Sequence, residues 1–239
     1  MSDTILHRKN RFTWSLLAFQ GGFVNMGGLL SIHIFVSHVT GFSARLSKDF
    51  VDQNYLSSLY FLFVPIFFLA GSFLSSVLTQ VRNNRQGQET KKSPVYIQVL
   101  VFLSMIFLSI ALLGDNNHFG EFGAPFEEVE GFVLLCILSF ACGTQNAIFT
   151  HYSKSIIRTT HLTGLTTDLG IGLAKYFISK DRREGKINAI RMNLIFSFII
   201  GSIVGAYVFP KLHFIGFIIP SMISLAVGLR LYSTRRNLI

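Results

Sequence analysis

The sequence predicts an all-α polytopic membrane protein with six transmembrane helices, arranged as two inverted three-helix repeats. Half of its 239 residues are hydrophobic and only 14% are charged, against about 25% charged in a soluble domain. Six apolar stretches are close to the roughly 20 residues that a helix needs to span a bilayer. One short motif, His38-Val39-Thr40-Gly41, recurs 123 residues later as His161-Leu162-Thr163-Gly164.

The predicted spans lie at about 12–36, 55–80, 94–114, 131–150, 192–209 and 212–232. Apart from Arg230, near the end of the last span, they contain no charged side chain. A seventh segment, 160–178, carries Asp168 and Lys175 and is too polar for an ordinary lipid-facing span. We expect this segment, and its counterpart 38–54 after the first span, to be re-entrant or amphipathic.

Basic residues are distributed unevenly among the connecting segments. The N-terminus, the second loop, the fourth loop and the C-terminus hold 18 of the 21 Lys and Arg residues, whereas the loop 115–130 has none and carries five acidic residues. By the positive-inside rule, both termini are expected to face the cytoplasm. The net charge of +9 then reflects proximity to anionic lipid headgroups, and no nucleic-acid partner is expected.

A second sequence match supports two related halves. Gly71-Ser72 in the second predicted span corresponds to Gly201-Ser202 in the fifth, 130 residues later. Each half has three spans, an odd number, so the second half is expected to be inverted relative to the first, as in many secondary transporters. The predicted division is 1–114 for the first repeat, 115–130 for an acidic external loop and 131–239 for the second repeat, within one membrane domain.

Polar residues within the spans are candidates for a binding site. Asn25 lies among Gly21, Gly22, Gly27 and Gly28, and glycine weakens a helix. One interpretation is a broken helix that lines a cavity. The other is close packing of helices through glycine. Asn146 occupies the corresponding place in the fourth span.

The repeated Thr-Gly pairs stand where an apolar sequence changes to a helical pattern, at Thr40-Gly41 and Thr163-Gly164. Threonine can cap a helix, and glycine allows a ligand or a backbone to approach closely. The starts of these helices would attract anions. The alternative is simple capping of two amphipathic surface helices. As a hypothesis, the substrate-binding residues are Asn25, Thr40, Gly41, Asn146, Thr163 and Gly164.

Three titratable residues are candidates for proton or ion coupling: His38, His161 and Asp168. Histidine titrates near physiological pH, although both histidines could instead bond backbone carbonyls at the membrane interface. No catalytic motif, metal-ligand spacing or cofactor-binding motif is present, so neither a metal nor a cofactor is expected. Cys136 and Cys142 are interpreted as reduced packing residues.

Over nearly its whole length the chain resembles the YoaK-like family of uncharacterised bacterial integral membrane proteins. The segments that carry this resemblance are Gly21-Gly22-Phe23-Val24-Asn25, Phe35-Val36-Ser37-His38-Val39-Thr40-Gly41, Gly143-Thr144-Gln145-Asn146-Ala147 and Thr159-Thr160-His161-Leu162-Thr163-Gly164. The resemblance implies the bacterial inner membrane as the location and supplies no substrate. Family members often carry Asp where Asn25 stands and Asn where Phe42 stands, which argues against proton coupling through position 25 in this chain.

These observations favour a transporter or channel for a small solute or ion, with its site between the two repeats. One alternative is an intramembrane enzyme acting on lipid or isoprenoid substrates through His38, His161 and Asp168. Another is a non-catalytic membrane assembly or regulatory protein. The lipid bilayer and an unidentified small solute are the expected partners. The spacing of Gly201 and Gly205 is suited to helix packing within one chain or between copies in a homo-oligomer.

Overall fold

A computed structural model of the chain describes residues 8–85, 95–124, 129–153 and 162–236. Within these ranges the structure is helical and has no strand. The helices, in chain order, are α1 (Arg8–Ile32), α2 (Gly41–Val51), α3 (Tyr55–Arg85), α4 (Val95–Asp115), α5 (Val129–Tyr152), α6 (Leu162–Ser179), α7 (Arg182–Leu212) and α8 (Ile218–Arg236), with a short 3-10 helix, His213–Phe217, between the last two.

Five helical stretches in the described ranges are long and apolar enough to cross a membrane, as expected of an integral membrane protein: Arg11–Ile32, Tyr55–Val81, Val95–Asp115, Glu130–His151 and Arg182–Ser233. The last has 52 residues. As one straight helix it would be about 78 Å long, more than twice the roughly 30 Å hydrocarbon core. It is divided at His213, where φ is +47°, so that α7 and α8 are separate helices.

Some predicted helix boundaries differ from the structure. The first span was predicted to reach residue 36, but α1 ends at Ile32, because the chain reverses at His33 with φ of +56°. The last span was predicted to begin at 212, whereas α8 begins at Ile218, after the 3-10 helix. At the start of α7, Asp181 acts as a cap, and its Oδ1 accepts hydrogen bonds from the backbone N of Arg183 (2.8 Å) and Glu184 (3.4 Å).

Helices α1 and α7 pack along each other in parallel. Ser15 and Asn193 form a hydrogen bond in the first half of α1, and the rings of Phe23 and Phe209, farther along both helices, lie 4.8 Å apart. Helices α3 and α5 are also parallel. Helices α4 and α8 are antiparallel. Gly114, at the end of α4, contacts Phe214 of the 3-10 helix just before α8, whereas Leu100, earlier in α4, contacts Gly228, later in α8.

The crossing of α1 and α7 is closed by two glycines. A Cβ at Gly22 would lie 2.0 Å from the carbonyl oxygen of Phe198, and one at Gly201 would lie 2.0 Å from that of Phe19. Ser202 Oγ donates a hydrogen bond to the carbonyl oxygen of Gly22 (3.2 Å). Backbones that approach so closely leave no room for a side chain, as at small-residue contacts between membrane helices.

The crossing of α3 and α5 contains the same kinds of contact. A Cβ at Gly71 would lie 2.1 Å from the carbonyl oxygen of Phe140, and one at Gly143 would lie 2.1 Å from that of Phe68. Ser72 Oγ donates to the carbonyl oxygen of Gly143 (3.1 Å). Glycine therefore faces a phenylalanine carbonyl twice at each crossing, and a serine hydroxyl bonds one of the glycine carbonyls.

The glycine-rich stretch of α1 is not a break. The helix is continuous from Arg8 to Ile32, and its glycines face other parts of the protein. A Cβ at Gly27 would lie 2.4 Å from the ring of Phe209, and one at Gly28 would lie 2.5 Å from Val36 Cγ1. Of the two interpretations of this stretch, close packing is the one found, and the broken helix is not.

Polar side chains link three helices inside the bundle. Gln20 Nε2, on α1, donates to Gln145 Oε1 on α5 (3.0 Å) and to Ser224 Oγ on α8 (2.8 Å). All three residues are buried. Ser104 and Ser221 bond to each other across α4 and α8 (Oγ to Oγ, 3.0 Å). Each of these polar groups has a partner, as buried polar groups require.

The two ends of the bundle differ in charge. The Arg230 guanidinium lies 5.0 Å from the centre of the Phe12 ring, so the beginning of α1 and the end of α8 are at the same end. Because α1 and α7 are parallel, the basic start of α7 is also at this end. At the opposite end, Gly123 donates its backbone N–H to the carbonyl of Ser31 (3.0 Å), which places the described part of the loop after α4, including Glu121, there.

Candidate functional site

After α1 the chain reverses and runs back along the same helix. Val36 packs against Gly28. One turn of α1 earlier, Asn25 Oδ1 accepts hydrogen bonds from the backbone N (3.3 Å) and the Oγ (2.9 Å) of Ser37. Asn25 therefore holds the returning, non-helical segment 33–40 against α1.

Helix α2 then runs in the opposite direction along α3. It begins at Gly41, directly after Thr40, but the Thr40 side chain makes no capping hydrogen bond, so the predicted cap is absent. Farther along, Ser58 Oγ of α3 donates to the carbonyl of Leu46 (2.9 Å). The start of α2 is consequently positioned partway along α3, and its end is close to the start of α3.

Helix α6 packs along α7 in a similar way. Its described part is Leu162–Ser179, so Thr163 and Gly164 lie within the helix and not before it. Gly172 of α6 packs against Asn188 and Arg191 of α7. Leu162 and Met26 of α1 line one cavity of about 380 Å³ together with six residues of α7.

The predicted site residues are thus only partly brought together. Asn25 bonds Ser37, which lies four residues before α2. Leu162 of α6 lines the same cavity as Met26, the residue after Asn25. Asn146 is partly buried on α5, and its Oδ1 is a buried atom with no hydrogen-bond partner among the residues described. His161 lies outside the described residues.

The candidate coupling residues occupy separate places. His38 is exposed, with its ring centre 6.1 Å from that of Phe35. Asp168 is partly buried on α6, one turn before Gly172. Within the described part of the chain, no hydrogen bond or ion pair joins His38 to Asp168. The two cysteines are buried free thiols.

Two adjoining cavities lie beside α2. The smaller one, here named the inner pocket, has a volume of about 180 Å³ and is lined by His33, Ile34, Phe35, His38, Gly41, Phe42, Arg45, Phe61 and Val64. The larger, named the vestibule, has a volume of about 770 Å³ and is lined by His33, Ile34, Arg45, Asp49, Gln53, Asn54, Tyr55, Leu56, Ser57, Tyr60 and Phe61. Arg45 contributes to the walls of both.

Asp49 is the main feature of this site that sequence reasoning missed. It is buried, with Oδ1 3.5 Å from Arg45 Nε and Oδ2 accepting a hydrogen bond from Ser57 Oγ (2.7 Å). The four-residue spacing between Arg45 and Asp49 on a helix was a usable signal for the ion pair. The partnership with Ser57 was not predictable without knowing that α2 folds back onto α3.

We expect Asn25→Leu to release the segment 33–40. The substitution removes the acceptor for the N–H and O–H of Ser37, and an unpaired buried polar group costs about 1–3 kcal/mol. Hydrogen exchange of the amides at 33–40 should accelerate, because local opening becomes less costly. Asn25→Asp keeps an acceptor oxygen and should retain most of the protection. Unchanged exchange in Asn25→Leu would show that this hydrogen-bond pair does not hold the segment.

The comparisons with known proteins identify a family. A family model described as "Protein of unknown function (DUF1275)" matches residues 13–229, which is most of the chain. Neither a curated protein nor a solved structure matches the chain. In agreement with the YoaK-like resemblance, the chain belongs to the DUF1275 family.

Proposed function

We propose that the protein is a transporter or channel that moves a small solute or ion across the bacterial inner membrane. In this proposal six helices span the membrane, both termini are cytoplasmic, and residues 1–114 and 131–239 form two inverted repeats. The solute site lies between the repeats, near Asn25 and the starts of α2 and α6. Alternating exposure of the site would follow from rocking of one repeat against the other.

The matched helix crossings support the inverted repeats. Gly22 and Gly143 are 121 residues apart, and Gly71 and Gly201 are 130 residues apart. Each member of a pair makes the same kind of contact as its counterpart. The helix directions agree with the proposal, because α1 and α7 are parallel, whereas α5 runs against α1, as the Trp14–Phe149 ring contact indicates.

The observation that carries the transport proposal is the return of the chain into the bundle at 33–40. Gly41 lines the same cavity as Val64, which is nine residues into α3, or about 14 Å along its axis. If Tyr55 marks the membrane surface, α2 begins nearly halfway through the roughly 30 Å hydrocarbon core. Non-helical backbone at that depth is tolerated where it is buried in protein or lines a water-filled cavity.

A cysteine-accessibility scan tests for such a cavity without knowledge of the solute. Cys136 and Cys142 are first replaced by alanine, and Asn25→Cys, Thr40→Cys, Asn146→Cys and Thr163→Cys are then treated with an aqueous thiol reagent. We expect all four site cysteines to react, because water reaches the site. Leu69→Cys, at a side chain 68% exposed on the apolar surface of α3, should face lipid and stay unreactive.

The proposal predicts that all four site cysteines react faster than Leu69→Cys. Four cysteines as unreactive as Leu69→Cys would favour a lipid-packed assembly or regulatory protein. Reconstituted liposomes then test movement of candidate solutes, for which Thr40→Ala and Thr163→Ala are expected to lower the rate. No solute movement, together with unaltered behaviour of both variants, would count against transport.

A further inference from the structure

The inner pocket has an unusual lining for an apolar protein. Three phenylalanines, Phe35, Phe42 and Phe61, form part of its wall, and Arg45 is the one side chain of fixed charge among the lining residues. No carboxylate lines it in the described part of the chain. The pocket is therefore apolar on one side and has, on the other, a guanidinium that is paired with Asp49 of the vestibule wall.

The Arg45 side chain is 60% exposed, and its guanidinium has two neighbours. Its Nε is 3.5 Å from Asp49 Oδ1, and its central carbon lies 5.4 Å from the centre of the Phe61 ring. Asp49 is itself fixed by the hydrogen bond from Ser57 Oγ. Asp49 engages the guanidinium on its Nε side, and within the described ranges no hydrogen bond involves either Nη.

A guanidinium positioned in this way is suited to a carboxylate. Its planar group of N–H donors matches the two carboxylate oxygens, which the ammonium group of lysine cannot do. The positive end of α2 adds to the attraction for an anion, because the helix begins at the pocket wall with Gly41. The aromatic wall supplies an apolar surface for the rest of the molecule.

The size of the pocket limits the ligand. A cavity of about 150 Å³ lined by apolar side chains holds a benzene molecule, and the inner pocket has about 180 Å³. We propose that the inner pocket binds a small organic acid, with its carboxylate on the Nη groups of Arg45 and its apolar ring or chain against the phenylalanines. The vestibule is the route by which the acid reaches the pocket, and Arg45 stands where the two meet.

The inner pocket is lined by residues of the first repeat alone, so this inference goes beyond the proposed solute site between the repeats and does not depend on it. Binding to the pocket is a separate property that equilibrium measurements can detect. A protein that binds the acid but does not move it into liposomes would contradict transport of that acid and leave the pocket assignment standing. A protein that moves another solute and does not bind the acid would contradict the pocket assignment alone.

The test uses the full chain in lipid nanodiscs, with benzoate as the probe and benzamide as its neutral analogue. We expect saturable binding of benzoate and at least tenfold weaker binding of benzamide. Arg45→Gln should raise the Kd for benzoate about 10- to 100-fold, as expected for the loss of a charge-assisted bidentate pair. Arg45→Lys keeps the charge but not the planar group, and should also weaken binding at least fivefold.

Lys48→Gln is the matched control. It removes the same charge from the same helix, but Lys48 lies outside both cavities and pairs with Asp52 (2.6 Å) at the surface. Its Kd for benzoate should stay within twofold of that of the unaltered protein. Absence of benzoate binding, equal binding of benzamide, or equal effects of Arg45→Gln and Lys48→Gln would overturn the proposal. If Arg45→Gln does not fold, Arg45→Lys with unaltered affinity would overturn it as well.

Discussion

Alanine in place of Gly22, Gly71, Gly143 or Gly201 is expected to destabilise the helix bundle by about 3 kcal/mol or more. Each new methyl group would lie 2.0–2.1 Å from a backbone carbonyl oxygen of the neighbouring helix. Overpacking a core costs about 1–3 kcal/mol, and these sites belong at the upper end because a backbone oxygen cannot turn aside as a side chain does. The measurement is the thermal unfolding midpoint of the purified protein in one detergent.

Two other glycines serve as matched controls. A Cβ at Gly170 would meet nothing within 4 Å, and one at Gly228 would make ordinary contact with Leu100 Cβ at 3.6 Å. Gly170→Ala and Gly228→Ala should leave stability unchanged or raise it by up to about 1 kcal/mol, because alanine favours helix over glycine by that amount. Equal midpoints for the four crossing variants and the two controls would mean that the helices are not in close contact at these glycines.

The same glycines explain how far the sequence could predict α1. Hydropathy located a helix there, but four glycines around Asn25 allowed either a break or close packing. Their local preference weakens a helix, and only contacts with distant parts of the chain offset it. Phe198, for example, faces Gly22 although it is 176 residues away in the sequence. Nothing in the local sequence distinguishes that contact from an open cavity.

The candidate site shows a similar limit. Asn25 and Thr40-Gly41 could be selected from the repeat as candidate site residues. Asn25 is a polar side chain in an apolar sequence, and Thr40-Gly41 stands where that sequence changes to a helical pattern. The hydrogen bonds from Ser37 to Asn25 could not be predicted. They require the chain to reverse at His33, a non-glycine residue with positive φ. Such a conformation is uncommon outside glycine and has no reliable signal in the sequence. Asp49 was missed because its burial depends on the packing of α2 against α3.

Replacing Gln20 by leucine should also destabilise the protein strongly, by about 2–4 kcal/mol. Gln20 is fully buried and bonds both Gln145 and Ser224. Its removal deletes the hydrogen bonds to Gln145 and Ser224 in the bundle interior, and a buried polar group that loses a partner costs about 1–3 kcal/mol. We take the lower part of this range for each of the two losses, because hydrogen bonds measured between membrane helices average about 0.6 kcal/mol. Gln80→Leu, at an exposed position on α3, is the matched control and should have little effect.

A multiple substitution separates the cost of unpaired groups from the cost of lost bonds. The triple variant combines Gln20→Leu with Gln145→Leu and Ser224→Ala. It therefore also replaces the two side chains that bond Gln20 by apolar ones. Replacing hydrogen-bonding partners together by apolar groups can be nearly neutral, so the triple variant is expected to be more stable than Gln20→Leu, although it lacks more hydrogen bonds. Additive destabilisation, with the triple variant the least stable, would instead mean that the bonds themselves hold α1, α5 and α8 together. In that case the network would resist any rocking of one repeat against the other, and transport would have to proceed without separating these three helices.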